Sequence, residues 1–274
     1  MDYAIKLSRA HRTGDRWRFA NRYTQRVSTS VATPTGRASP RRNDIWMKAH
    51  GVVEDLVVND NSMPTKIAVR IERWDQGSDA EMPGYFSPGQ TLLVEFQGGE
   101  PICTVDGELI TDGEKYTCTL LGLMGWESPY EDLFAATTVR RRIGESWPVD
   151  VRVASTGLGA VMEGYSIPPL VGDFKLVGVT LDHAEECLEV AGSLRLPGQP
   201  ADLLPDQCNR MTDTTSLDVS VSGLWPLDHR LPVRRLTETV KSEHLSQITL
   251  PNGTTLLIET SLEMVRSVAF AGGA

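Results

Sequence analysis

The chain has 274 residues, a net charge of −9, 40% hydrophobic residues and 23% charged residues. That length can hold one large β domain or two ordinary ones, and that composition excludes an intrinsically disordered chain. No apolar run reaches the ~20 residues that a membrane-spanning helix requires, so a helical membrane protein is excluded as well.

Residues 3–10 read as a first strand, and His11 to Asp15, with Gly14, as a turn. A strict two-residue alternation follows. Trp17, Phe19, Tyr23 and Val27 occupy odd positions, while Arg16, Arg18, Arg22 and Arg26 occupy even ones. Only a β-strand puts those two sets on opposite faces, which predicts a half-buried antiparallel strand over 16–31. Residues 33–44, rich in Pro, Gly, Ser and Arg, read as an exposed loop. Residues 45–50, 52–58 and 66–74 read as strands, the last two separated by the turn cluster Asn59–Pro64. After a Gly- and Pro-bearing loop at 77–89, residues 90–96 and 102–105 form a predicted hairpin through Gly98-Gly99.

The texture changes after Gly107. Residues 112–123 read as a short helix capped by Thr111 or Asp112, and Ser128-Pro129-Tyr130-Glu131-Asp132 as the start of a second. This pair is expected to cap one sheet or connect two. A two-lobed division, if present, falls near 107–140; otherwise residues 1–274 form a single β-rich domain. Strand character returns at 139 and from 146 to 153, and 158–169 is punctuated by Gly and Pro. Residues 174–181 and 184–196 are strands around a turn at Asp182-His183. Residues 197–214 read as a long polar loop. Residues 217–222, 230–236 and 244–250 are strands, and Pro251-Asn252-Gly253 is a hairpin turn. In the last strand Leu256, Ile258, Leu262, Met264, Val268 and Phe270 share one face, opposite Glu259, Ser261, Glu263 and Ser267.

Length decides the architecture. Residues 254–270 fully extended span roughly 55 Å at ~3.3 Å per residue, against a diameter of about 50 Å for a compact chain of this size. Strands that long must bend or coil around a core. The expected fold class is mainly β (a β-rich α+β chain), built as a large curved antiparallel sheet or half-barrel with two short helices.

Residues 1–50 carry eleven Lys and Arg against three Asp and Glu, so the acidic excess lies elsewhere. A basic start suits an anionic partner such as nucleic acid or a lipid headgroup. The preferred reading pairs the arginine face with an acidic strand, the one bearing Glu259 and Glu263, and disfavours nucleic acid. Cys103, Cys118, Cys187 and Cys208 make no CxxC. Disulfides 103–118 and 187–208, or free buried thiols, both stay open. Trp147-Pro148 and Trp225-Pro226 echo each other after a glycine and read as structural corners.

No HExxH, phosphate loop, dinucleotide fingerprint or GxSxG elbow is present, so no cofactor and no catalytic residue is expected. The metal candidates are Asp182, His183, Asp228 and His229, which would also serve a hydrolase or metal enzyme if the two corners met. Solvated turns are the preferred reading of both. Trp17, Phe19, Tyr23 and Trp46 would share a concave apolar wall able to hold a hydrophobic ligand, unless side chains and helices fill that space.

Over residues 104–150 a strand ends in Asp106-Gly107, two short helices follow, and a strand begins at Gly144-Glu145-Ser146-Trp147. This stretch resembles uncharacterised bacterial secreted or lipoprotein-like β-rich proteins. The resemblance implies a domain of unknown function that is exported, periplasmic or lipid-anchored, with the export signal not part of this sequence; a cytoplasmic setting stays open. The expected function is a non-enzymatic extracytoplasmic β protein that binds a ligand or an envelope partner. A hydrophobic-ligand or lipoprotein carrier with a half-barrel cavity is one alternative, and the Asp-His enzyme is the other.

Overall fold

The alternating segments pair edge to edge into one sheet. A computed structural model describes residues 2–7, 9–78, 85–97, 100–123, 139–149, 171–199 and 210–271. In chain order the elements are β1 (Asp2–Ala4), β2 (Arg16–Thr33), β3 (Gly36–Arg37), β4 (Arg41–Val58), β5 (Pro64–Ser78), β6 (Thr91–Gln97), β7 (Glu100–Val105), β8 (Glu108–Leu109) and α1 (Asp112–Leu120), then β9 (Arg140–Arg142), β10 (Ser146–Pro148), β11 (Val171–Asp182), β12 (Glu185–Gln199), β13 (Arg210–Pro226), β14 (Arg235–Thr249) and β15 (Thr255–Ala271). A 13-stranded sheet runs β10-β11-β12-β13-β14-β15-β2-β4-β5-β6-β7-β8, with β3 pairing β2, and β1 pairs β9 separately. The large sheet is antiparallel and curved, and it does not close into a barrel.

One face of this sheet is continuous. The register places Trp147, Phe174, Gly192, Val221, Glu238, Arg266, Tyr23 and Met47 in a single row from β10 to β4. Apart from the glycine and the Glu238–Arg266 ion pair at 2.6 Å, that row is buried apolar surface. The curl shows in the N-terminal segment. Ala10 donates to the His229 carbonyl after β13, and the next residue, His11, donates to the Ser62 carbonyl between β4 and β5. In a flat sheet those loops would lie roughly 20 Å apart at ~4.8 Å per strand step, whereas consecutive residues advance only ~3.8 Å.

Helix α1 covers part of the concave side. Thr111 accepts from the Glu114 N–H at 3.3 Å while the Glu114 carboxylate accepts from the Thr111 N–H at 2.8 Å, a reciprocal cap that starts the helix where the sequence places it. Cys118, Leu121 and Leu123 are buried. Asn21, on the inner face of β2, donates to the Leu121 carbonyl at 2.7 Å and so satisfies an acceptor that the helix end leaves free.

The outward face carries the charges in register. Asp44, Arg26, Glu263, Lys241, Asp218 and Arg195 form one row of alternating sign from β4 to β12. Contacts of 3.3 Å (Arg26–Asp44), 3.7 Å (Arg26–Glu263), 3.1 Å (Lys241–Glu263) and 3.2 Å (Arg195–Asp218) link its neighbours. The arginine face of β2 is thus paired internally, but mostly not with the strand expected: Arg26 reaches Glu263 of β15, whereas Arg16 meets Glu54 of β4, Arg18 meets Glu72 of β5, and Glu259 is taken by Arg37. These exposed pairs stabilise modestly, at ~0.2–1 kcal/mol each.

Several boundaries differ from the sequence reading. The strands expected at 45–50 and 52–58 are one strand, β4. Gly51 is a point of close approach and not a break: a Cβ there would lie 2.0 Å from the Arg70 carbonyl oxygen and 3.0 Å from the Phe19 ring. The strand expected at 244–250 begins earlier, as β14 from Arg235, whose polar middle is used by Glu238 inside and Lys241 outside; of the strand expected at 230–236 only the last two residues are strand, and 230–234 precede it. The loop expected over 197–214 is shorter, since β12 reaches Gln199 and β13 starts at Arg210. The second helix at 128–134 and the segments 150–153 and 158–169 lie outside the described residues.

Trp147 and Trp225 are both buried at 3% exposure, so the repeated Trp-Pro corner packs the core. Cys103, Cys118 and Cys187 are free and buried, so the 103–118 disulfide is absent; Cys208 lies outside the described residues. Burial pushes the Cys118 thiol pKa up.

Phe19 and Trp46 test the assignment of faces. Phe19→Ala is expected to cost about 3–5 kcal/mol in urea unfolding, and Trp46→Ala only a small fraction of that. Equal costs would mean that the two rings share an environment.

Candidate functional site

The aromatic wall is assembled in part. Phe19 and Tyr23 lie in the core, and Trp17 packs against it with the Arg9 guanidinium 5.3 Å from the ring centroid. The Tyr23 hydroxyl donates to Gln25 Oε1 at 2.6 Å, and burial raises its pKa. Trp46 is not part of this wall. It pairs with Thr24 on the outward face and is 39% exposed, lying against Gly77, where a Cβ would come within 2.8 Å of the indole. Its neighbours Ile45 and Met47 are also apolar, so parity along β4 cannot be read from hydrophobicity alone.

The three inward aromatics help fill the concave side near the start of β2. Farther along the strands the same face is less fully covered. Val27, Leu217, Val219, Val240, Leu262 and Met264 hold inward register positions but are only half-buried. The concave face thus has a dry zone beneath α1 and an apolar zone beyond it.

The Asp-His corners lie on neighbouring strands, where the Leu227 N–H donates to the Glu186 carbonyl at 2.8 Å. Asp182 and His183 sit at the tip of the β11–β12 hairpin, with His183 at φ 49° and Ala184 at φ 68°, a left-handed pair suited to a tight turn. Asp228 is gripped by Arg230, which donates from Nε at 2.9 Å and from Nη2 at 2.6 Å. Hydrogen bonds from Arg230 lower the Asp228 pKa from 3.8 to about 2. Among the described residues no group of three or more His, Cys, Asp or Glu is placed to hold a metal, so these corners do not assemble into a four-ligand site.

Two polar features escape a reading by motif. The first is a buried cluster. Asp55 Oδ2 accepts from Arg9 Nη2 at 2.6 Å and lies 2.8 Å from His11 Nδ1, while Arg9 Nη1 reaches Asp15 at 3.0 Å. The Arg9, His11 and Asp55 side chains are 7%, 2% and 1% exposed. The available signal was Asp55 itself, an acid in the inward register of the apolar run 52–58. The second is a cavity of about 410 Å³ near the start of β2, lined by Arg18, His50, Asp182, His183, Arg234 and Arg235 among others. No motif marks it, because its residues come from seven separate segments. A third space, about 530 Å³ on the outward face, lies beside the Arg37–Glu259 ion pair.

The Asp228 carboxyl, held below its ordinary value, stabilises the fold above pH 3.8, and that contribution is lost as pH falls toward about 2. An NMR titration should place its midpoint near 2 and return it toward 3.8 in Arg230→Ala. Asp55→Ala removes the partner of His11 and one of the two carboxylates that Arg9 contacts, and should cost about 1–3 kcal/mol in urea unfolding. A loss below 1 kcal/mol would show the cluster to be dispensable.

No protein-family model matches the chain, and no curated protein matches it. Among solved structures it is similar to one of lipid–protein interactions in lipovitellin, at 8% identity and a TM-score of 0.27. That alignment covers 95% of this chain and 25% of the other, so the chain spans about a quarter of that structure's length. A likeness this loose assigns neither fold family nor role.

Proposed function

We propose that this chain is a non-catalytic binding protein that takes a hydrophobic ligand against the open zone of its concave face. One observation carries the reading. The inward register continues past α1 as Val27, Leu217, Val240, Leu262 and Met264, yet these side chains are only half-buried while the same face beneath the helix is dry. A concave apolar surface bounded by strands is the usual form of such a site. The extracytoplasmic setting implied by the likeness over 104–150 belongs to the same proposal, and an apolar surface of an envelope protein is the competing occupant.

The test is a fluorescence titration with the uncharged probe N-phenylnaphthylamine. Wild type should bind it saturably, and Leu262→Glu should weaken binding at least ~10-fold, about 1.4 kcal/mol, with an unchanged far-UV circular dichroism spectrum. Trp46→Ala, on the outward face, should bind as wild type does. Absence of saturable binding, or equal binding by the Leu262 variant, would remove the proposal.

A further inference from the structure

Arg234 is a buried cation that meets no carboxylate among the described residues. The residue is 7% exposed and immediately precedes β14. Its N–H donates to the Leu224 carbonyl at 2.9 Å, and its own carbonyl accepts from the Phe270 N–H at 3.1 Å, which clamps it between β13 and β15. Its side chain has the Cys187 thiol as a partner, its Nε makes no hydrogen bond, and among the described residues it forms no ion pair with a carboxylate. Burial pushes the Cys187 thiol pKa up, so that partner is neutral at physiological pH. A guanidinium buried in this way is strongly unfavourable unless an anion meets it.

Arg234 borders the cavity of about 410 Å³. The register explains the space. His50, Ala20, Ala269 and Arg235 form one outward row across β4, β2, β15 and β14, so two alanines leave a hollow between two larger polar residues. Arg18 lies two residues from Ala20 on the same face, and His183 reaches the cavity from the β11–β12 tip. The carboxylates present are Glu72, bound by Arg18 at 2.9 Å, and Asp182. Three arginines therefore face two acids, one of them already engaged.

We propose that this cavity binds a small oxyanion, a phosphate or carboxylate group, with Arg234 as its buried charge partner and Arg18, Arg235, His50 and His183 at its rim. Guanidinium groups match the planar or tetrahedral oxygens of both anions. The site lies on the outward face, about seven residues along β15 from Leu262, which itself faces inward. It is therefore separate from the hydrophobic zone and stands or falls independently of it.

Calorimetric titration with inorganic phosphate, and in a second arm with succinate, tests the site at constant ionic strength set by sodium chloride. At least one anion should bind saturably with one-to-one stoichiometry, and the tighter of the two identifies the ligand class. Arg234→Met should weaken binding at least ~10-fold, while Arg230→Ala, outside the cavity, should leave it unchanged. Should the Met variant fail to fold, amide spectra of wild type decide. Phosphate or succinate should shift Arg18, Ala20, His50, Arg235 and Ala269 together. Shifts centred instead on Arg41, Arg42 and Arg140 to Arg142, no saturable binding of either anion, or wild-type binding by the Met variant would each overturn the proposal.

Discussion

An open sheet with one continuous apolar face must cover that face with its own chain. Every other feature of this fold follows from that constraint. The row from Trp147 to Met47 crosses strands from β10 to β4, and burying such a row is the main favourable term in folding. Curling carries the row around a hollow that α1 partly fills, and residues 9–15 pass from the β13–β14 connection to the β4–β5 turn. The Arg9–Asp55–His11 cluster lies at that crossing. It is a costly way to anchor a segment, since each charge loses its water, but the geometry leaves few alternative placements.

The outward face answers a different requirement. Strand pairing without side-chain preference would allow slippage, and a one-residue slip exchanges the two faces of a strand. Here a slip of β2 would drive Arg22 and Arg26 into the core and expose Phe19 and Tyr23. It would also break the alternating row Asp44–Arg26–Glu263–Lys241. The individual ion pairs contribute little energy, yet together they specify which strands lie side by side. The sheet's two ends are short strands, β8 and β10, which limits the unpaired backbone available to another chain.

The candidate sites lie where this regularity lapses. Inside, the apolar face runs on beyond the helix that covers part of it. Outside, the row His50–Ala20–Ala269–Arg235 replaces bulk with alanine beside a buried Arg234 that has no carboxylate partner among the described residues. Departures from local consistency of this kind mark the positions where a fold gives up some stability for another purpose.

Much of the architecture was legible in the residues themselves. The period of two in β2 and β15, the Thr111–Glu114 cap and the Asn252-Gly253 turn are local properties, each decided within a few residues by backbone geometry, so the sequence alone determined a long-stranded antiparallel sheet that had to bend. Its charge pattern also showed that the arginine face pairs internally, though most of its acids come from β4 and β5 and only Glu263 from β15. The face taken by Trp46 could not be read, because Ile45, Trp46 and Met47 are all apolar and only pairing with β2 sets their phase. Gly51 looked like a break because close packing against Phe19 and Arg70 leaves no trace in composition. The Asp55 cluster and the Arg234 cavity were decided by the tertiary structure alone: their members are distant in the chain, and burial, which makes their charges consequential, exists only once the sheet has curled.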